Sequence, residues 1–107
     1  MMAQWHECKL QAKEALLFFR LGDFYEAFHQ GAEIMAKQLG LTLTARQGIP
    51  MCGVPYHTSE MYIDKLVAKG FKVAVAEQIG DPEQTKGLVK REIARIVTPG
   101  TLVHSQL

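Results

Sequence analysis

Two residues suited to binding stand two positions apart in the segment Leu21-Gly-Asp-Phe-Tyr-Glu-Ala-Phe28. The phenyl ring of Phe24 can project into solvent or onto a ligand, and the carboxylate of Glu26 can accept hydrogen bonds there. Both residues also have ordinary structural explanations, since Phe24 could pack at the rim of a core and Glu26 could cap a helix. The spacing by itself leaves both explanations open.

Carboxylates near predicted strand ends permit a second kind of chemistry. With bound Mg²⁺, two of them could activate water against a phosphodiester, as in a metal-dependent nuclease. No single spacing brings the candidates together, and each is explained locally as a cap or turn residue. We therefore expect no catalytic residue and no metal ligand in this chain. The carboxylates concerned are Asp23, Glu26, Glu77 and Asp81.

The elements on either side of the segment determine where the pair lies. The apolar run from Ala15 to Arg20 predicts a strand buried on both faces. Asp23 followed three residues later by Glu26 is typical of a capping box, so a helix is predicted from Asp23 to Leu39. Phe24 lies off the apolar stripe of that helix, which consists of Tyr25, Phe28, Ala32, Met35, Ala36 and Leu39.

A regular helix would separate the two side chains. Residues two apart on a helix point about 200° away from each other. Phe24 and Glu26 could then converge on one ligand only if the first helical turn were open.

The rest of the chain alternates between helical and strand-like patterns. With 107 residues, of which 48% are hydrophobic, it is long enough for one domain, residues 1–107, around one core. The pattern predicts an α/β fold in which helices flank a single mixed β-sheet of about four to six strands. Helices are predicted at 1–13 and 58–69, strands at 41–46, 71–76 and 92–97, an irregular segment at 47–56, a turn at 80–82 and a polar loop at 83–87.

Four blocks of the sequence resemble the N-terminal domain of the MutS family of DNA mismatch repair proteins. The first is Gly22-Asp-Phe-Tyr-Glu26, which contains Phe-x-Glu. The blocks occur in the family's order and at similar spacings, so the resemblance covers nearly the whole chain and implies a mixed α/β fold. The other three are Ile49-Pro-Met-Cys-Gly-Val-Pro-Tyr-His57, Glu77-Gln-Ile-Gly-Asp-Pro82 and Arg95-Ile-Val-Thr-Pro-Gly-Thr101.

The resemblance implies a role for the pair. Phe24 would be a wedge that stacks on a mispaired base from the minor groove, and Glu26 would hydrogen-bond that base. The partner would be double-stranded DNA that carries mismatches or small loops. Some branches of the family lack the Phe-x-Glu pair and keep only the fold, and the presence of both residues here favours the mismatch-reading branch.

Basic residues are the candidates for contacts with the DNA backbone. Arg46 lies at a predicted strand end, and Lys90 and Arg91 lie in a predicted loop, so each could contact phosphate or could be ordinary solvated surface. The net charge is only +1, from 12 basic and 11 acidic residues, and therefore gives no strong electrostatic indication of nucleic-acid binding.

Nucleotide hydrolysis is not expected of this chain. It contains no Gly-x-x-x-x-Gly-Lys-Ser/Thr motif, and the resemblance places ATP and Mg²⁺ in a distant ATPase domain of a longer parent protein. The same resemblance implies a homodimeric parent, further repair proteins as partners, and a bacterial, cytoplasmic location at the nucleoid during repair. Neither a signal peptide nor an apolar run of membrane-spanning length is visible, so we expect a soluble intracellular protein.

The two cysteines predict no disulfide framework. Cys8 and Cys52 are far apart and form no Cys-x-x-Cys pair, which favours reduced thiols. With His6 and His57 nearby they make only partial metal-ligand pairs, and Cys52 is expected to act as a small hydrophobic residue.

Overall fold

The computed structural model describes residues 2–80 and 89–100, which form three α-helices and one six-stranded sheet. The strand order is β3-β4-β2-β1-β5-β6, in which β1 and β5 are parallel and all other neighbours are antiparallel. The predicted single mixed sheet is therefore confirmed. In chain order the elements are α1 (Met2–Ala12), β1 (Leu16–Leu21), β2 (Phe24–Phe28), α2 (His29–Leu39), β3 (Thr44–Arg46), β4 (Ile49–Pro55), a 3-10 turn (Tyr56–Thr58), α3 (Ser59–Ala68), β5 (Val73–Ile79) and β6 (Lys90–Val97).

The sheet has an apolar layer on each face. Helices α2 and α3 cover one face, here called the α2/α3 face, where Phe18 and Tyr25 are buried. Helix α1 covers the other, the α1 face, where Phe19 and Phe28 pack with Trp5. Strands β1 and β5 are buried on both faces, which explains their unbroken apolar runs. Within the described ranges, no helix is long and apolar enough to cross a bilayer.

The prediction that a helix begins at Asp23 is wrong. Gly22 and Asp23 form a two-residue turn between β1 and β2, with Leu21 opposite Phe24 and a φ of 59° at Gly22. A positive φ at this turn position is readily adopted by glycine and matches the twist of a β-hairpin. The helix begins only at His29.

Strand pairing decides this outcome. The apolar spacing from Tyr25 to Leu39 fits a helix, but Tyr25 and Ala27 also alternate onto the α2/α3 face. As a strand, β2 hydrogen-bonds to β1 on one side and β4 on the other. Strand β1 is its hairpin neighbour, whereas β4 lies more than twenty residues further along the chain, and aromatic residues fit a strand well.

The irregular segment predicted at 47–56 is also wrong over most of its length, since Ile49–Pro55 is strand β4. Pro50 and Pro55 lie within one residue of the strand ends, where a missing N–H donor is tolerated best. Lys90 and Arg91, predicted in a loop, begin β6. The predicted turn at 80–82 beyond Gly80 and the predicted loop at 83–87 lie outside the described residues.

Helix α1 ends in a conformation that glycine adopts more easily than the residue present. Lys13 is exposed, has a φ of 59°, and its N–H donates to Lys9 O at 3.0 Å. A left-handed conformation costs a residue with a Cβ roughly 1–2 kcal/mol. Glycine avoids this cost but loses more chain entropy on folding.

We therefore expect Lys13→Gly to raise the free energy of unfolding by up to about 1 kcal/mol in denaturant titrations. Gln11→Gly is the matched control, because Gln11 is also exposed but lies inside α1. That change should lower the free energy of unfolding by about 0.5–1 kcal/mol. Equal losses in both variants would show that the conformation of Lys13 carries no strain.

Candidate DNA-binding site

Phe24 and Glu26 point to the same face of the sheet because they lie two apart on a strand. Glu26 is opposite Phe19 on β1 and Gly53 on β4, which places the pair on the α1 face. The separation that a helix would have imposed therefore does not arise. Side chains two apart on a strand can approach one flat ligand together.

The pair lies where the cover of α1 ends. Phe28, the next residue of β2 on this face, is 1% exposed and packs edge-on against Trp5 with ring centroids 6.0 Å apart. Phe24, four residues earlier, is 45% exposed. The same strand thus anchors one phenyl ring in the core and presents another to solvent.

Gly53 leaves the space that the pair occupies. A Cβ at this position would lie 3.2 Å from Cγ of Glu26, 3.3 Å from the carbonyl oxygen of Tyr25 and 3.8 Å from Cδ2 of Phe24. A larger residue would force Glu26 to shift. The sequence around Gly53 predicts an irregular segment, and only the position of this glycine opposite Glu26 reveals its role.

Glu26 is a poorly solvated carboxylate. Its side chain is 14% exposed, and its buried Oε1 accepts no hydrogen bond from any described residue. Nη1 of Arg46 lies 3.8 Å from that oxygen, within ion-pair range. Burial raises the pKa of Glu26, and the positive charge of Arg46 partly opposes this rise. The carboxyl group can thus accept a bond from an incoming donor or, once protonated, donate one.

The capping role predicted for Asp23 and Glu26 is wrong, because both residues precede α2. Asp23 is exposed in the hairpin turn, and its carbonyl oxygen accepts a hydrogen bond from the N–H of Tyr56 at 2.7 Å.

The nuclease carboxylates are not brought together. Glu77 lies on the α2/α3 face, where Arg20 Nη1 donates to its Oε1 at 3.0 Å and Tyr25 Oη donates to its Oε2. Glu26 lies on the opposite face, so these two cannot share one metal ion. Asp81 lies outside the described residues. Across residues 2–80 and 89–100, no three His, Cys, Asp or Glu side chains form a group that could hold a metal ion.

The three basic candidates occupy different environments. Arg46 is half-exposed beside Glu26, and Lys90 is exposed and paired with Glu92 at 3.2 Å. Lys90 begins β6, three strands from β2 at the same end of the sheet, or roughly 14 Å from Phe24 at ordinary strand spacing. Arg46 shares the α1 face with the pair, whereas Lys90 alternates with Arg91 and projects together with Glu92 from the α2/α3 face, so Arg46 is the better placed for a phosphate contact beside the pair.

Arg91 has an internal role. It is 8% exposed, its Nε donates to Arg20 O at 3.1 Å and its Nη1 to Val89 O at 2.7 Å, and its guanidinium lies over the ring of Phe19. This position does not support the prediction that it contacts phosphate. No local pattern could have shown this, because one of its acceptors belongs to distant β1.

The two thiols lie in the core and not beside the pair. Cys8 and Cys52 are both free and buried, and burial raises the pKa of Cys52 to about 11, with a further contribution from the charge of Glu26. At neutral pH Cys52 is a protonated, small apolar residue, as the sequence analysis predicted.

Comparison with known proteins places the whole chain in one family. Residues 1–106 match the profile of the family described as MutS domain I. A DNA mismatch repair protein MutS of Protochlamydia amoebophila is 66% identical over 107 residues, those of Macrococcus caseolyticus and Pseudothermotoga lettingae are 54% and 56% identical, and each match covers all of this chain. The chain spans 12–13% of the length of these relatives.

The exposure of Phe24 predicts an asymmetry in stability. Phe24→Ala should lower the free energy of unfolding by less than about 1 kcal/mol, whereas Phe28→Ala should lower it by about 3–5 kcal/mol, because only the second change opens a cavity. Denaturant unfolding of both variants measures the difference. A larger loss for Phe24→Ala would make Phe24 a core residue.

The environment of Glu26 predicts a response to the charge of Arg46. Arg46→Gln should raise the pKa of Glu26 further, measured by NMR titration of its side-chain carboxyl carbon, while Arg95→Gln, far from the site, should leave it unchanged. A folded-state pKa above the ordinary value of 4.5 means that ionisation of Glu26 destabilises the fold. Stability contributed by this group should therefore fall as the pH rises from about 4.5 through the folded-state pKa, and Glu26→Gln should remove that dependence. A pKa that falls in Arg46→Gln would contradict the ion pair.

Proposed function

The chain belongs to the MutS domain I family, and from this membership we propose that residues 1–107 are the mismatch-recognition domain of a longer bacterial DNA mismatch repair protein. Phe24 is the wedge that stacks on a mispaired base from the minor groove, and Glu26 hydrogen-bonds that base. The observation that supports this most directly is the projection of an exposed phenyl ring beside a largely buried carboxylate on one strand face.

Selectivity by a wedge follows from the mechanics of DNA. Inserting an apolar side chain between base steps costs a few kcal/mol of unstacking and kinks the duplex. A mismatched step has already lost pairing and stiffness, so the same insertion costs less there. Stacking of the phenyl ring on a base contributes roughly 1–3 kcal/mol of favourable binding free energy. Phe24 can thus select by deformability without reading every base.

Glu26 adds to this selectivity by weakening the binding of correctly paired DNA. A carboxylate among phosphates is repelled, by roughly 1 kcal/mol for a unit charge at about 4 Å in water and by more when desolvated. Arg46 offsets this cost only in part, and on paired DNA no base is free to offset the rest. A displaced base can offer a donor to Oε1, which accepts no hydrogen bond from any described residue, or accept from the protonated carboxyl. Glu26 then penalises correct DNA more than it rewards a mismatch.

The domain supplies only part of the binding energy. A net charge of +1 permits few phosphate contacts, for which Arg46 and Lys90 are the proposed residues. The rest of the longer protein provides the DNA clamp, the dimer interface, contacts with further repair proteins, and the ATPase domain with its ATP and Mg²⁺. Recognition by this chain therefore needs no cofactor of its own.

The test is the affinity of the full-length protein for a duplex with one mismatch and for the matched homoduplex, at one fixed salt concentration. Phe24→Ala should weaken mismatch binding by roughly 5- to 150-fold, which corresponds to the lost stacking. Glu26→Gln keeps the shape and hydrogen-bonding capacity but removes the charge. It should strengthen homoduplex binding while mismatch binding changes less.

Ile96→Ala is the control, since Ile96 is a strand residue of similar exposure, 49%, on β6. It should change neither affinity. If Phe24→Ala behaves like Ile96→Ala, the domain keeps the family fold without reading mismatches. If Glu26→Gln weakens mismatch binding and leaves homoduplex binding untouched, Glu26 is an attractive contact only.

A further inference from the structure

Four side chains meet behind the hairpin that carries the wedge, on the α2/α3 face. Arg20 of β1 donates from Nη1 to Glu77 Oε1 at 3.0 Å, and Tyr25 donates from Oη to Glu77 Oε2. The Arg20 guanidinium lies 3.7 Å from the ring centroid of Tyr56 and 5.7 Å from that of Tyr25. We call Arg20, Tyr25, Tyr56 and Glu77 the Arg20 network.

The Arg20 network reaches both residues of the hairpin turn. Arg20 Nε donates to the carbonyl oxygen of Gly22 at 2.6 Å, and the N–H of Tyr56 donates to the carbonyl oxygen of Asp23 at 2.7 Å. Phe24 is the next residue of the chain after Asp23. The two turn carbonyls are thus held by side-chain and main-chain donors from outside the turn, in addition to the strand ladder.

The geometry is one that fixes orientation. The guanidinium is planar, and its hydrogen bonds to Glu77 and Gly22 together with its contact on the Tyr56 ring constrain that plane. Glu77 uses one carboxylate oxygen for Arg20 and the other for Tyr25. Arg20 and Glu77 are partly buried, so screening by water is reduced.

Tyr25 links this arrangement to the proposed recognition residues. Its side chain is buried on the α2/α3 face, while Phe24 and Glu26, its neighbours in β2, project from the α1 face. A tilt or twist of the strand at Tyr25 therefore moves both. A wedge that is ordered before contact loses less entropy on binding.

From this arrangement we propose that Arg20, Tyr56 and Glu77 are positioning residues, which hold the β1–β2 hairpin so that Phe24 projects at the angle needed for insertion, without touching DNA themselves. The inference rests on the proposed function of Phe24. It also assigns a role to Tyr56 and Glu77. These residues belong to the sequence blocks 49–57 and 77–82, which mismatch recognition by Phe24 and Glu26 leaves unexplained.

The test is a double-mutant cycle in the full-length protein, with the ratio of mismatch to homoduplex affinity as the readout. Arg20→Lys keeps the charge but loses the planar fork, and Glu77→Gln keeps the shape but loses the charge. Each should lower the ratio by about 3- to 10-fold when Phe24 is present, and by less than about 2-fold in the Phe24→Ala background, because residues that act through one another are not additive.

Tyr56 supplies a variant that does not threaten folding, since its ring is half-exposed. Tyr56→Leu removes the surface on which the guanidinium lies and should lower the ratio, whereas Tyr56→Phe keeps the ring and should restore it. Glu60→Gln is the control, because the ion pair of Glu60 with Arg95 joins α3 to β6 away from the hairpin. It should not change the ratio.

Four outcomes would overturn the inference. Equal losses with and without Phe24 would mean that the Arg20 network acts on binding independently of the wedge. A lower melting temperature with an unchanged ratio would mean that it only stabilises the fold. If Phe24→Ala itself leaves the ratio unchanged, the proposed function fails and the inference falls with it, whereas a normal loss in Phe24→Ala with silent Arg20, Glu77 and Tyr56 variants refutes the inference alone.

Discussion

The site depends on the register in which β2 pairs with β1 and β4. Each residue of Phe24–Phe28 is opposite a β4 residue, and the two-residue turn sets its pairing with β1. Because side chains alternate along a strand, a slip of one residue would exchange the faces. Tyr25 and Ala27 would then leave the α2/α3 core, and Phe24 and Glu26 would enter it. Burial of Tyr25 and Ala27 therefore excludes that slip, and the same energy that folds β2 presents the pair.

The cost of this arrangement is concentrated at Glu26. A carboxylate with little solvent and an oxygen that no described residue hydrogen-bonds is unfavourable in the free domain, and the ion pair with half-exposed Arg46 offsets the cost only in part. Gly53 adds to the cost, since glycine loses more entropy than other residues in a strand. A chain selected for stability alone would fill this position and remove the charge. Such tension between folding and local chemistry is typical of functional surfaces.

The sequence predicts the parts of the fold that local patterns determine. Strands β1 and β5 are recognisable because burial on both faces gives an unbroken apolar run, and α1 and α3 because their apolar residues recur at helical spacing. Strands β2 and β4 were not. The spacing of Tyr25, Phe28 and Ala32 fits a helix, although the first two of these residues lie in strand β2. The Pro and Gly residues of β4 normally indicate a loop. What decides both cases is pairing between residues more than twenty positions apart, as between Glu26 and Gly53.

The same distinction applies within the site. Phe24 and Glu26 could be selected from their types and spacing, because an aromatic residue off an apolar stripe needs a separate explanation. Their convergence on one face could not be, since it required the strand. Arg91 and Lys90 are adjacent in sequence, yet alternation along β6 buries one guanidinium under Phe19 and leaves the other side chain in solvent. Charge alone identifies a candidate for DNA contact, and the face of the strand decides whether that charge is exposed or buried.

Alternation also explains how a hairpin end can be both exposed and ordered. An exposed aromatic residue at a loop tip would normally be mobile, because few contacts restrain it. Here its chain neighbour Tyr25 is buried and hydrogen-bonded on the other face, and the carbonyls of both turn residues accept bonds from outside the turn. The restraints reach Phe24 through the backbone and leave its ring free on the α1 face. A single strand can therefore hold a buried anchor and an exposed aromatic ring at two consecutive residues.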